Sequence, residues 1–279
     1  MPRVSVVIPA YNNADYIAQT VESVLAQTFA DFELVISDHS STDDTLAVIE
    51  PYRSDPRVRV VSTEPGGGAE RNWRRVTELA TGEFVKLVCG DDLLAPELLE
   101  RQVAALDAEP KAVLAATARD IVDADGAVLI RARGYGASGR VGGAEAVRAS
   151  VRAGTNLFGE PGCVLMRREV LARVGGWDGR FPYLIDQATY SRVLLEGDLV
   201  ADERSGAAFR LNGGQWSVAL AKSQSDQAKA FHHWLGEARP DVVSAADVRR
   251  GNRRAMVMAW ARRAVYVLYA RRMSPSNAR

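Results

Sequence analysis

The 279-residue sequence predicts an α/β protein whose mostly parallel sheet is covered on both faces by helices. Two observations carry this. Short β-branched runs recur along the first part of the chain, and they are near-continuously apolar rather than alternating, as strands buried on both faces are. Between them lie stretches with apolar residues at helical spacing. "VSVVI" (Val4–Ile8) reads as the first strand. Residues 15–27 follow as a helix on Ile17, Val21, Val24 and Leu25, with Asp15 as its N-cap. "FELVIS" (Phe32–Ser37) is the second strand. Ser41 or Thr42 then caps a helix running to Tyr52, with Asp43 and Asp44 in its first turn, where the helix dipole favours acids. "VRVVS" (Val58–Ser62) is the third strand. "EPGGGAE" leads into a helix reaching Ala80, its glycine triplet reading as a flexible turn. "FVKLV" (Phe84–Val88) is the fourth strand, and it runs into Cys89, Gly90 and two adjacent carboxylates, Asp91 and Asp92. Ligands of such sheets bind outside the carboxyl ends of the strands. Asp38, Asp91 and Asp92 therefore address one crevice.

Composition narrows the class. A hydrophobic content of 47% and a charged content of 25% are those of a soluble globular protein. A formal net charge of zero carries no nucleic-acid signature. Nine arginines and no acid lie between Arg249 and the end, which leaves an acidic body with a basic tail. That tail suits an acidic partner surface or a solvated helix face. Two cysteines make no disulfide framework and fit a reducing compartment. The apolar start, cut by Pro9, is too short for a signal peptide, and no run reaches the ~18 apolar residues of a membrane span. The expected location is cytoplasmic, with peripheral attachment to the inner face of the membrane as an open alternative.

A dinucleotide fold would place G-x-G-x-x-G after the first strand, and this chain has "PAYNNADY" there. The phosphate-loop pattern G-x-x-x-x-G-K-[ST] is absent as well. A phosphorylated ligand would then be held by a divalent cation, Mg²⁺ or Mn²⁺, which takes carboxylate oxygens together with substrate phosphates. The alternative role for Asp91 and Asp92 is to cap a helix near Pro96–Glu100.

The segments "VSVVIPAYNNADYIAQTVESVLAQT", "FELVISDHSSTDDT", "GGGAERNW" and "TGEFVKLVCGDD", in this order and spacing, resemble the glycosyltransferase family 2 enzymes, inverting transferases of GT-A fold. A weaker likeness continues through residues 159–198. The resemblance implies a nucleoside-diphosphate-sugar donor. Pro9, Ala10 and Tyr11 would lie against its base and ribose, and Asp38 would accept the pyrimidine imide N–H. Arg71 would sit near the base and phosphates. Asp92 would bind the cation directly, with Asp91 beside it and towards the ribose. Many relatives carry a third acid where this chain has Gly90, and His39 stands where a small or amide residue is common. The resemblance also implies a general base, because a sugar hydroxyl must lose its proton as it attacks. "FPYLIDQATYSRVLL" places Asp186 in that role, ahead of a helix, with Ile185 where relatives often carry another acid. In "FRLNGGQWS", Asn212 replaces a histidine of many relatives, as a weaker oxygen ligand or with water in its stead. Arg210, Gln215 and Trp216 are candidates for phosphate or acceptor contact.

The expected organisation is a nucleotide-sugar half (1–115), an acceptor and base half (116–220) and a helical region (221–279). A sugar-nucleotide pyrophosphorylase would need a Gly-rich basic loop after the first strand, and a dehydrogenase the glycine fingerprint. A catalytically silent nucleotide-sugar-binding protein remains the alternative. The acceptor would be a saccharide, a lipid-linked molecule or a small molecule. Residues 253–273 predict one helix, with Met256, Val257, Trp260, Val267 and Leu268 within about a third of its circumference. The favoured expectation is that this stripe packs on the catalytic domain or forms a homodimer; the other is contact with anionic lipid.

Overall fold

The computed structural model describes residues 1–274, and the side chains of Ala132, Trp216 and Ser217 lie outside that description. The predicted alternation is present: β1 (Val4–Ala10), α1 (Ile17–Leu25), β2 (Phe32–Asp38), α2 (Thr45–Ile49), β3 (Val58–Ser62), α3 (Gly68–Glu78) and β4 (Phe84–Leu87). These four strands are parallel in the order β3-β2-β1-β4. In β1, β2 and β4 the side chains are buried nearly throughout, as their apolar runs require, whereas in β3, at the sheet edge, only Val60 is buried. Strand order reverses at β1, with β2 on one side and β4 on the other, and such a reversal opens a crevice at the carboxyl ends. β4 pairs with β1 only from Val4 to Val7, and the Val88 N–H closes on the Val7 carbonyl at 2.9 Å. Beyond that point β1 carries Pro9, which has no N–H to offer a neighbour, and the chain after β4 turns away into Cys89–Asp92.

The second half of the chain completes the sheet. It comprises β5 (Leu93–Leu94), α4 (Leu98–Ala108), β6 (Ala112–Val122), β7 (Val128–Arg133), β8 (Gly139–Val141), α5 (Gly143–Ala153), β9 (Val164–Arg167), α6 (Arg168–Arg173), α7 (Ile185–Leu194) and β10 (Asp198–Arg210). Three helices follow: α8 (Trp216–Ala219), α9 (Gln224–Ala238) and α10 (Ala245–Leu268). Beyond β4 the order is β9-β6-β10-β5, with β9 antiparallel to both neighbours and β6 parallel to β10. One core cluster runs through both halves.

Several local expectations are corrected. Asp15 does not cap α1; the Asn13 carbonyl accepts the Tyr16 and Ile17 N–H groups instead. Ser41 and Thr42 do not cap α2, because both are engaged with Asn12 of the loop after β1. Asp43 holds that helix start, accepting from Thr45 N at 3.0 Å, and also from Ala14 N at 3.1 Å. Asp91 and Asp92 cap nothing, since α4 begins beyond Pro96. Gly66, Gly67 and Gly68 all hold left-handed φ angles (94°, 83° and 65°), so the triplet is a conformation that side chains resist rather than a slack turn.

The last helix starts eight residues before the expected Arg253, at a capping box in which Ser244 and Asp247 satisfy each other's backbone N–H. Its packing face is not the apolar stripe. Small residues Gly251, Ala255 and Ala259, with Val248, are buried against α5 and α9. A Cβ on Gly251 would lie 2.3 Å from the Val151 carbonyl oxygen. Close backbone approach thus selects the small side chains and turns the large ones out: Trp260 is 70%, Val267 78% and Leu268 77% exposed. Among the described residues no helix is long and apolar enough to cross a membrane.

Candidate active site

The end of β2 carries Asp38, level with Ala10 of β1. Asp38 is 3% exposed; its Oδ2 accepts the Ser41 N–H at 3.3 Å, and its buried Oδ1 has no partner among the described residues. Two further buried groups gather round the Ala10 carbonyl, which accepts His39 N at 2.9 Å and Asn72 Nδ2 at 3.4 Å. Pro9 and Ala10 are buried, whereas Tyr11 is exposed and its ring meets that of His39 edge-on at 6.2 Å. His39 is buried, with Nδ1 3.0 Å from Thr63 Oγ1 and Nε2 unpartnered. Arg71 is exposed on the first turns of α3, and its guanidinium bonds the Gly66 carbonyl at 3.4 Å rather than any site carboxylate.

The turn after β4 brings Cys89 Sγ and one oxygen each of Asp91 and Asp92 within 4.8 Å of one another. The pair is held by the segment after β10. Asp91 Oδ2 accepts Asn212 Nδ2 at 2.7 Å and Gln215 Nε2 at 3.2 Å, and Asp92 Oδ1 accepts Arg210 N at 3.1 Å. Burial raises the Asp91 pKa despite those amides. Burial and then the Asp91 charge push Asp92 well above the ordinary carboxylate range. This is a site with more negative charge than its surroundings compensate. Its donor set, two carboxylates beside a thiol that burial keeps protonated, fits a hard divalent cation.

Position 90 cannot readily take a third acid. A Cβ there would lie 2.6 Å from Asn13 Oδ1, which accepts the Tyr11 N–H. Asn212 donates from its Nδ2 to Asp91, and its Oδ1 accepts the Gly214 N–H at 3.0 Å, so it braces an acid instead of offering a ligand oxygen. The proposed phosphate contact by Arg210 is also corrected. Arg210 is fully buried, and its guanidinium bonds the carbonyls of Asp91 and Ala124 and the Gln19 Oε1, lying over the Tyr16 ring. Gln215 points its amide at Asp91 and the Arg210 carbonyl, and Trp216 falls outside the described side chains.

Asp186 is the second residue of α7 rather than ahead of it. Its Oδ1 accepts Gln187 N at 2.7 Å and its Oδ2 accepts Asn156 Nδ2 at 2.8 Å. Burial, with a smaller contribution from Glu160, raises its pKa to about 7 against those two donors. Glu160 is paired to Arg119, whose Nη2 donates at 3.0 Å. The charges of Asp92, Asp91, Asp186 and Glu160 all bear on the Cys89 thiol, so the acids surround one sulfur. Lys86, inside β4, is fully buried and donates to the carbonyls of Gly162 and Val164 at 2.7 and 3.1 Å, fixing the turn that follows Glu160. An open cleft of about 660 Å³ is lined by Gly67, Glu70, Arg74, Trp177, Arg180 and Ile185 among others, the last being the residue before Asp186 in α7.

The glycosyl transferase family 2 model matches residues 5–175, more than half of the chain. The chain belongs to that family. It has the GT-A fold. It is 42% identical over 101 residues to a chondroitin synthase of Pasteurella multocida, covering 36% of this chain and 10% of the synthase. It spans 10–15% of the length of the chondroitin and hyaluronan synthases it matches. Among solved structures, S. aureus TarS 1-349 in complex with UDP-GlcNAc superposes with a TM-score of 0.70 at 19% identity, covering 89% of this chain and 69% of that one. A mannosyltransferase from Pyrobaculum calidifontis, in complex with GDP-Man and Mn²⁺, gives 0.65 at 19% identity, covering 96% and 75%. At that identity these two likenesses establish the fold of this family 2 glycosyltransferase.

Proposed function

We propose that this glycosyltransferase is an inverting enzyme that moves a sugar from a UDP- or dTDP-linked donor to a hydroxyl acceptor, with a divalent cation, in the synthesis of a polysaccharide or glycoconjugate. The observation that carries this reading is the pair of unmet acids flanking the end of β1. Asp38 has a buried oxygen without a partner, and Asp91–Asp92 has uncompensated charge. An imide N–H of uracil or thymine relieves the first. A diphosphate-bound cation relieves the second. The UDP-GlcNAc complex of the S. aureus relative and the chondroitin synthase likeness support the donor and product classes.

In this reading residues 1–115 hold the donor. Pro9, Ala10 and Tyr11 lie against base and ribose, and Arg71 swings from Gly66 towards the phosphates. Asp92 is the direct ligand of Mn²⁺ or Mg²⁺ and Asp91 faces the ribose, both braced by Arg210, Asn212 and Gln215. The bound cation stabilises negative charge on the departing diphosphate. Residues 116–220 supply the base. Asp186 takes the acceptor hydroxyl's proton while that oxygen bonds the anomeric carbon and the carbon–diphosphate oxygen bond breaks on the opposite face, which inverts the centre. A base with a pKa of about 7 is largely ionised just above neutrality and still basic enough to hold the proton.

A competition series tests the nucleotide. With Mn²⁺ present, UDP or dTDP should displace a bound donor roughly tenfold or more better than ADP or CDP, since an unpaired buried acceptor costs about 1–3 kcal/mol. GDP, which also carries a ring imide, belongs in the same series. Asp38→Ala should erase the preference. Equal displacement by all the diphosphates would contradict it.

A further inference from the structure

The outer face of α10 is built in two halves. Its packing face is settled by Val248, Gly251, Ala255 and Ala259 against α5 and α9, so the opposite side is fixed outward. On that side the first half exposes Arg249, Arg250, Arg253 and Arg254. The second half exposes Met256, Val257, Trp260, Val267 and Leu268. At 100° per residue both sets fall within one arc of roughly half the helix circumference. The helix therefore presents a strip about 30 Å long, basic at one end and apolar with a tryptophan at the other.

We propose that this strip seats the protein on an anionic lipid surface, with Trp260 and its apolar neighbours at the boundary between headgroups and acyl chains and the arginines on lipid phosphates. Charge complementarity favours this occupant over a second copy joined through the same strip. No acidic residue follows Asp247 in the sequence, so a parallel pairing of two strips sets arginines against arginines, an antiparallel one sets them against the partner's apolar half, and neither offers the helix an acid to balance them. A lipid surface offers both the acyl layer and the negative charge. Arg262 and Arg263, half-buried, bond Gln224 and the Ala221 and Lys222 carbonyls and so clamp α10 to the body, and the Arg263 guanidinium lies over the Trp260 ring at the edge of the strip. The helix also leads back to the site: beyond its end, the Met273 carbonyl accepts the Gly213 N–H, next to the Asn212 that braces Asp91.

The test is co-sedimentation of the full chain with vesicles of phosphatidylglycerol and phosphatidylcholine in equal parts, against phosphatidylcholine alone. Binding to the anionic vesicles that fades with salt is expected. Each arginine near such a surface is worth roughly fivefold in partition, so replacing Arg250, Arg253 and Arg254 by Gln should cut binding roughly a hundredfold. W260S should lower it independently, and both variants should keep the wild-type far-ultraviolet spectrum because these side chains are exposed. No sedimentation at low salt overturns the proposal. So does a dimer in light scattering that W260S dissolves while vesicles bind nothing, which would give the strip to a second copy.

Discussion

At the scale of single residues, Asp186 carries the sharpest expectations. Asp186→Asn should lower transfer by about 10²–10⁴-fold, the range of a lost general base, while donor affinity stays near wild type. Single-turnover kinetics beside donor titration separates the two quantities. The rate should fall on the acid side with a midpoint near 7, since the carboxylate must be ionised to act. Asn156 stabilises that ionised form at 2.8 Å, so Asn156→Ala should move the midpoint upward and restore much of the lost rate at higher pH. A midpoint left in place would show that Asn156 merely packs. Linkage adds a sign. A carboxyl raised in the fold binds its proton more tightly there than in the unfolded chain, so its effect on stability turns unfavourable as pH rises from about 4 to about 7. Asp186→Asn should therefore melt at or above the wild-type temperature at pH 8, with the margin closing near pH 4. Strand ends drew attention to Asp38, Asp91 and Asp92 in the sequence, and the family resemblance drew it to Asp186. The sequence could not show Asn156, Glu160 or Arg210 as the groups that brace the site, because their partners lie 30, 41 and 118–119 positions away in contacts that only folding makes.

At the scale of elements, strands were legible and helix starts were not. β1, β2, β3 and β4 fall within a residue or two of the short β-branched runs; burial on both faces leaves a near-continuous apolar signal in β1, β2 and β4, while β3 is an edge strand with Val60 alone buried. The expected caps of α2 failed because Ser41 and Thr42 found partners on Asn12 in the loop after β1, and Asp43 holds the helix start in their place. The glycine triplet was read as slack and is constrained. Its middle residue has φ of 83°, and a Cβ there would lie 2.2 Å from Arg71 Cδ. Gly67→Ala should destabilise the fold by about 1–2 kcal/mol, the cost of a left-handed residue with a side chain, as read by urea unfolding. It should also weaken nucleotide binding, because Arg71 must leave its rotamer. Lys86 gives a second check. Burial holds its pKa near 7 in the fold, so wild-type stability should rise between about pH 7 and 10, where only the unfolded chain keeps the proton. Lys86→Met should lose that slope.

At the scale of the whole molecule, the parallel half and the mixed half of one sheet meet at the acids. β2 and β4 deliver Asp38 and the acid pair, while α7 delivers Asp186. The opening motifs made the family legible, since four segments must coincide in order. The orientation of α10 was not legible, because a helical stripe does not say which of two faces a neighbour will take; small residues at Gly251, Ala255 and Ala259 decided it. The central claim is that the acid pair holds a cation on which nucleotide diphosphate binding depends. Titration calorimetry of UDP against the wild-type chain and Asp92→Asn, in Mn²⁺ and then in excess chelator, tests it most directly. The predicted result is tight binding only for wild type with Mn²⁺, with Asp92→Asn folded but weak under both conditions. Equal UDP affinity in chelator, or an undiminished Mn²⁺ effect in Asp92→Asn, would contradict it.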